Sequence, residues 1–152
     1  MIYDSPVGPL TIDVDDDGAL TAIWFGVRAT AAEGGRRYTE AVVAQLEEYF
    51  RGDRRVFDLP LAPRGTPFQL SVWNALLRID YGATTSYMRV AESIGRPKAV
   101  RAVGAANGAN PIPIIIPCHR VVGSGGALTG YGGGLHIKEA LLAIERGQRK
   151  LL

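Results

Sequence analysis

With 152 residues, 47% of them hydrophobic and 21% charged, the chain can bury a real core but is short for two independent enzymes, and fits one ordinary domain or two small ones. No apolar stretch of signal-peptide type follows Met1, no run reaches the length of a bilayer span, and a single cysteine suits a reducing compartment, so a soluble cytoplasmic protein is expected. The net charge of +2 hides an asymmetry: residues 1–60 carry six Lys/Arg against eleven Asp/Glu, net −5, whereas residues 61–152 carry eleven against four, net +7. The basic half points to a polyanion partner, although a solvated basic face is the commoner source of a modest excess.

Residues 8–14 and 19–25 alternate polar and apolar around Asp15-Asp16-Asp17-Gly18, which predicts a β-hairpin. A helix follows, with Val42, Val43, Leu46, Tyr49 and Phe50 on one face and Thr39 as its N-cap. Val56 and Phe57 suggest a short strand, and Pro- and Gly-rich residues 61–65 read as a linker between an N-terminal unit, 1–60, and a C-terminal unit, 66–152. The second unit is mainly helical. Thr66 caps a helix whose first position is Pro67 and whose apolar stripe is Phe68, Val72, Trp73, Leu76 and Leu77. Ser86 caps a second helix over 87–94 that Gly95 stops, and Pro97 starts a third to about 107. Two short helices joined by Gly95-Arg96-Pro97 have the spacing of a helix-turn-helix. Gly123 to Gly134 form a glycine-rich loop without the lysine of a phosphate loop, which rejects nucleotide triphosphate binding. The last helix runs from about Leu135 to Arg146, with Glu139 in its first turns and Gly147 at its end. The fold class expected is α/β in the α+β sense: a small sheet with one helix, then a helical part carrying the helix-turn-helix and the cysteine.

Chemistry gathers at the only cysteine, in the run Ile114-Ile115-Ile116-Pro117-Cys118-His119-Arg120-Val121-Val122. Read by residue type alone, Cys118 is either a small buried hydrophobe or a nucleophile whose proton His119 takes. A strand passing from Ile-Ile-Ile straight to His-Arg buries polar groups, which is costly without partners. The third helix is also unusual, because Arg101 stands alone among Ala99, Val100, Ala102, Val103, Gly104, Ala105 and Ala106. Small residues there either pack helix on helix or let a backbone approach a minor groove with one arginine entering the base stack. A major-groove reader would carry more polar side chains.

Asn110-Pro111-Ile112-Pro113 followed by Pro117-Cys118-His119-Arg120-Val121 resembles the active-site signature of the O6-alkylguanine-DNA alkyltransferases. The likeness continues from about Gly65 to Gly147, through Tyr81-Gly82, Ser86-Tyr87, Arg101-Ala102-Val103-Gly104, Gly130-Tyr131 and Lys138-Glu139, while the first sixty residues match loosely. The resemblance implies DNA repair by a single, irreversible transfer of an alkyl group from O6 of guanine, with O4 of thymine as a further substrate, to Cys118. It implies that Glu139 orients His119, that His119 deprotonates Cys118 through a water, and that Tyr87 donates a proton toward the guanine ring. It also implies that Arg101 fills the stack left by an extruded nucleotide, with Ala102 and Gly104 at the DNA. Asn110 and Pro117 would shape the active-site turn, and Arg120, Val121, Tyr131 and Gly132 the pocket. No cofactor and no metal are expected, since Cys118, His119 and His136 are too few and too scattered for a structural site. The expected partner is duplex DNA with O6-alkylguanine, bound by a monomer that assembles cooperatively along the duplex, and no membrane. Three rival readings are a module that recognises alkylated DNA without reacting, a cysteine hydrolase and a transcription regulator. Cys118 argues against the first, and the second would draw its histidine from a distant part of the chain.

Overall fold

A three-stranded antiparallel sheet opens the chain, formed by β1 (Ile2–Ser5), β2 (Gly8–Val14) and β3 (Leu20–Phe25) in that order. The computed structural model describes residues 1–29 and 38–147. The predicted hairpin is β2 and β3, in register with Leu10 opposite Phe25 and Ile12 opposite Ile23. Its turn is built by Asp15, whose carboxylate accepts from the backbone N–H of Asp17 and of Ala19 at 3.0 and 2.9 Å. That is the local bonding that suits aspartate to turns. The strand β1 was not anticipated, because four residues are too few to display a period. It pairs with β2 through the tight turn at Pro6-Val7.

Helix α1 (Thr39–Phe50) buries Val42, Leu46, Tyr49 and Phe50, the expected face. It begins at Thr39, with Tyr38 in the cap position, one residue earlier than the predicted Thr39 cap. Val56 and Phe57 form no strand: Val56 is 75% exposed, while Phe57 turns its ring onto Tyr49 at 5.5 Å. The link to the second half is instead a parallel bridge between Leu20 and Leu61. One hydrophobic cluster runs from Leu10 and Ile12 through Tyr49 and Trp73 to Ile112, Cys118 and Ile144, so the two halves share a core.

Helix α2 (Pro67–Leu76) starts with the predicted cap, completed as a capping box: the Thr66 hydroxyl accepts from the Gln69 N–H, and the Gln69 side chain accepts from the Thr66 N–H. Trp73 reaches from α2 to donate its indole N–H to the Ala106 carbonyl at 2.9 Å. Ala106 belongs to α4 (Val100–Gly108), which packs with α3 (Tyr87–Ser93) as the helix-turn-helix. Ser86 caps α3, and Gly95 turns the chain at φ +73°. The start of α4 is three residues later than predicted, since Pro97 and Lys98 sit in a turn that Ala99 closes by donating to Arg96.

The apolar run before the cysteine is a coiled turn, not a strand. Ile116 donates to Ile112, and Ile114 adopts φ +74°, a region disfavoured for a β-branched residue. The turn survives because Ile112, Ile114 and Ile116 are fully buried and leave the backbone no alternative packing. Cys118–Arg120 form a 3₁₀ turn, and Val121–Val122 form β5, which pairs in parallel with β4 (Thr85–Ser86). This two-residue pairing sets the first residue of α3, Tyr87, beside the segment leaving the cysteine. Helix α5 (Leu135–Glu145) closes the chain against the same turn. Among the described residues no helix is long and apolar enough to cross a membrane.

The capping box is a clean place to test local sequence control. Thr66→Ala should cost about 1 kcal/mol, seen as a lower denaturant midpoint with an unchanged slope; an unchanged midpoint would show that α2 is held by packing alone.

Candidate active site

Cys118 lies on the floor of a cavity of about 290 Å³, a size near the lower end for small-molecule sites. Asn110, Tyr131 and Gly132, all expected at the site, line it with Asn107, Gly108, Pro113 and Gly130. The opposite wall comes from the N-terminal sheet: Ile23, Trp24 and Phe25 of β3, followed by Arg28. Sequence reasoning placed no site residue in that half. The only hint was an aromatic pair at a strand end, and such pairs are more often core. Phe25 meets Tyr131 edge-on at 5.5 Å, closing the seam between the halves.

Cys118 is 5% exposed, and burial pushes its thiol above the ordinary value. The Asn110 amide, the Lys138 ammonium and the Tyr131 hydroxyl work in the opposite sense without overcoming burial. The sulfur therefore rests as a thiol, and nucleophilic chemistry at this position would require a base. Asn110 also shapes the turn. Its amide donates to the Ile116 carbonyl at 2.7 Å and its carbonyl accepts from the Ile112 N–H at 3.0 Å, joining the end of α4 to the run that carries the cysteine.

His119 is fully buried, and its partner is Glu145, whose Oε2 lies 2.5 Å from Nε2. This corrects the expectation for Glu139, which is exposed on the opposite side of α5. The helical period explains the difference: Ile137, Leu141 and Glu145 recur at four-residue steps along the face buried against the 3₁₀ turn, and residue 139 falls outside that stripe. A carboxylate on an apolar stripe was the signal that could have found it. Glu145 also accepts from Arg120 Nε at 2.7 Å and Nη2 at 3.3 Å, and from the Tyr49 hydroxyl at 2.6 Å. Arg120 thus serves the carboxylate and not the cavity; its Nη1 donates to the Ile79 carbonyl at 2.6 Å.

Hydrogen bonds from His119 and Arg120 outweigh desolvation and hold Glu145 down to about 2. Burial pushes His119 below its usual value, so the imidazole is neutral and donates through Nε2–H to the carboxylate. Its Nδ1 then carries a lone pair and has no hydrogen-bond partner among the described residues. One ring nitrogen is fixed as a donor and the other is left as a base.

Tyr87 does not line the cavity. Its hydroxyl lies 2.5 Å from Thr129 Oγ1, while Gly104 of α4 packs beside its ring, where an added Cβ would stand 3.9 Å from Cδ1. Arg101 and Ala102 are exposed on α4, on the face away from buried Val103 and Ala106. Pro117 caps the 3₁₀ turn, and the Val121 carbonyl accepts from buried Lys138 at 2.7 Å. Lys138 and Thr129 were not singled out for roles from sequence. A lysine inside a helical stripe reads as a solvated charge until its partners are seen.

The description "6-O-methylguanine DNA methyltransferase, DNA binding domain" matches residues 67–147, and the ribonuclease-like domain of the same methyltransferase matches residues 1–63. A methylated-DNA–protein-cysteine methyltransferase of Methanosarcina acetivorans is 49% identical over 95% of this chain and 96% of its own. The constitutive enzyme of that name from Bacillus subtilis is 45% identical over 94% of this chain and 92% of its own. The crystal structure of Mycobacterium tuberculosis OGT in complex with DNA superposes with a TM-score of 0.87 at 45% identity, covering 97% of this chain and 92% of the other.

The buried carboxylate sets a pH signature. Because Glu145 ionises lower in the folded chain than its usual value of 4.5, its contribution is complete above about pH 4.5 and is lost as the pH falls toward about 2. His119, kept neutral when folded, adds a loss in the same direction below about pH 6.5, where the unfolded chain takes a proton first. The stability gap between wild type and Glu145→Gln, measured by denaturant, should therefore shrink from pH 5 to pH 3. A constant gap would show that Glu145 is not the ionising group.

Proposed function

Because the chain belongs to the O6-methylguanine DNA methyltransferase family, we propose that it repairs DNA by taking the alkyl group of an O6-alkylguanine onto Cys118, once per molecule. The observation that carries this reading is the sole thiol on the floor of a cavity, followed in the chain by a buried imidazole whose Nε2 is tied to Glu145. In the proposed step, His119 Nδ1 takes the thiol proton through a water. The sulfur then attacks the alkyl carbon, a carbon–sulfur bond forms, and the carbon–O6 bond breaks with its electron pair going to guanine. Tyr87, whose partner Thr129 directly precedes the cavity residue Gly130, donates a proton to the departing base, and the proton held on His119 restores the phenol through solvent. Overall the thiol hydrogen is exchanged for the alkyl group. A thioether sulfur is a poor leaving group, so no second cycle follows.

A lesion inside a duplex cannot reach a sulfur on a cavity floor, so its nucleotide must leave the stack. The exposed face of α4 suits a minor groove: Ala102 and Ala105 let the backbone approach, and Arg101 is long enough to occupy the vacated stack. Exposed Arg89, Arg96 and Lys98 on and beside the helix-turn-helix supply charge for phosphates. The binding unit proposed is one chain, which assembles cooperatively along the duplex, acting in the cytoplasm, where a lone thiol stays reduced. O4-alkylthymine is proposed as a further substrate of the same cavity.

Incubation with a duplex bearing O6-methylguanine should add one methyl mass to Cys118 and stop at one equivalent; turnover without an adduct would overturn the reading. Cys118→Ser should abolish transfer while retaining DNA binding. Glu145→Gln should slow transfer by about 10²-fold or more, since base catalysis is typically worth that much, whereas Glu139→Gln should stay within about twofold, as for other surface changes. Arg101→Ala should slow repair of duplex far more than reaction with free O6-benzylguanine, and equal slowing would remove its role in the stack.

The reacted protein should also melt lower. Added carbon on a sulfur that is 5% exposed is an overpacking change, usually worth about 1–3 kcal/mol, and Asn110 transmits it toward α4. Amide exchange of residues 100–112 before and after stoichiometric methylation, with the melting temperatures, checks this; an equally protected and equally stable product would refute it.

A further inference from the structure

Thr129 belongs to the glycine-rich segment, far from the signature residues, yet it is bound on three sides. Its hydroxyl lies 2.5 Å from the phenol oxygen of Tyr87. Its carbonyl accepts from the buried Lys138 ammonium at 3.3 Å, and that ammonium also donates to Val121 in β5 at 2.7 Å. Gly123 closes the third side: a Cβ there would stand 3.0 Å from Thr129 Cγ2 and 3.3 Å from the Ala127 carbonyl, so a bare glycine is what allows the loop to fold onto Thr129. Gly123 donates to Ala127 at 2.8 Å and fixes that fold. A loop rich in glycine is thus anchored at the residue whose hydroxyl meets the Tyr87 phenol. Tyr87 in turn is set by the β4 and β5 pairing immediately before it.

A phenol that gives up its proton must aim it at the base and must be stabilised as its oxygen gains charge. A hydroxyl partner held by an anchored loop can do both, by donating to the phenol oxygen and leaving the phenol hydrogen free. We propose that Thr129 is a positioning residue for alkyl transfer: its hydroxyl donates to the Tyr87 oxygen, directs the phenol proton to the departing guanine and stabilises the phenolate that results. Lys138 acts one step further back, holding the Thr129 backbone in place. This inference rests on the reading of Tyr87 as proton donor.

Single-turnover rates with free O6-benzylguanine and with methylated duplex test it in Thr129→Val, Thr129→Ser, Tyr87→Phe and the Tyr87→Phe/Thr129→Val double variant. Thr129→Val should slow transfer about three- to tenfold, the range of one hydrogen bond, and Thr129→Ser, which keeps the hydroxyl, should restore the rate. In the Tyr87→Phe background Thr129→Val should have no further effect, since the two act as a unit. A wild-type rate in Thr129→Val, or equal slowing with and without the phenol, would overturn the proposal. A wild-type rate in Tyr87→Phe would instead defeat the reading of Tyr87 as donor, and the two failures are thereby distinguished. Gly123→Ala gives a second approach that leaves the hydroxyl in place but crowds Thr129; its slowing should likewise vanish in Tyr87→Phe, and persistence of that slowing would count against the proposal.

Discussion

A single buried carboxylate governs the arrangement. Glu145 is 6% exposed and ionised, and a charge in that position is tolerated only when it is surrounded by donors. Tyr49 comes from α1, His119 and Arg120 from the 3₁₀ turn, and Arg120 extends the network to the Ile79 carbonyl after α2. The requirement to satisfy one charge thereby draws four separate stretches of chain to one point. It also decides which face of the imidazole is basic. Structural and chemical demands coincide here: the bond that keeps the charge tolerable is the bond that selects the tautomer.

The thiol is kept in a different state from that of many reactive cysteines, whose thiolates are stabilised in advance. Desolvation dominates at Cys118, with Asn110, Lys138 and Tyr131 offsetting only part of it. A resting thiol is less exposed to oxidation than a thiolate, a useful property in a residue that is consumed by its reaction. In the proposed mechanism His119 and Glu145, bonded to one another and both buried, supply the base once a substrate fills the cavity.

Much of this was legible in the chain. The hairpin, the α2 cap with its N1 proline, the Ser86 cap and the apolar face of α1 follow from local rules, as do the bounds of α5, and the Cys118-His119 pair stood out by residue type. What escaped were contacts between residues distant in sequence. Glu139 lies closer to the glycine loop in the chain, but Glu145 lies on the buried stripe, and periodicity favoured the latter. The run before Cys118 read as a strand because three isoleucines prefer extended backbone, whereas the clamp of Asn110 on Ile112 and Ile116 imposes a turn. Trp24, Phe25 and Arg28 were read as ordinary residues at the end of a strand, since nothing local tells a strand's end that it faces a cavity.

The seam between Phe25 and Tyr131 bears on modularity. Every group assigned to proton or alkyl movement lies after residue 66, yet one wall of the cavity is contributed by β3, whose Ile23 N–H also donates to the Pro111 carbonyl at 2.9 Å. The C-terminal half therefore holds the chemistry without the whole vessel. Grafting it onto the sheet of a relative would be a change of aperture, altering which adducts fit while every reacting residue stayed the same.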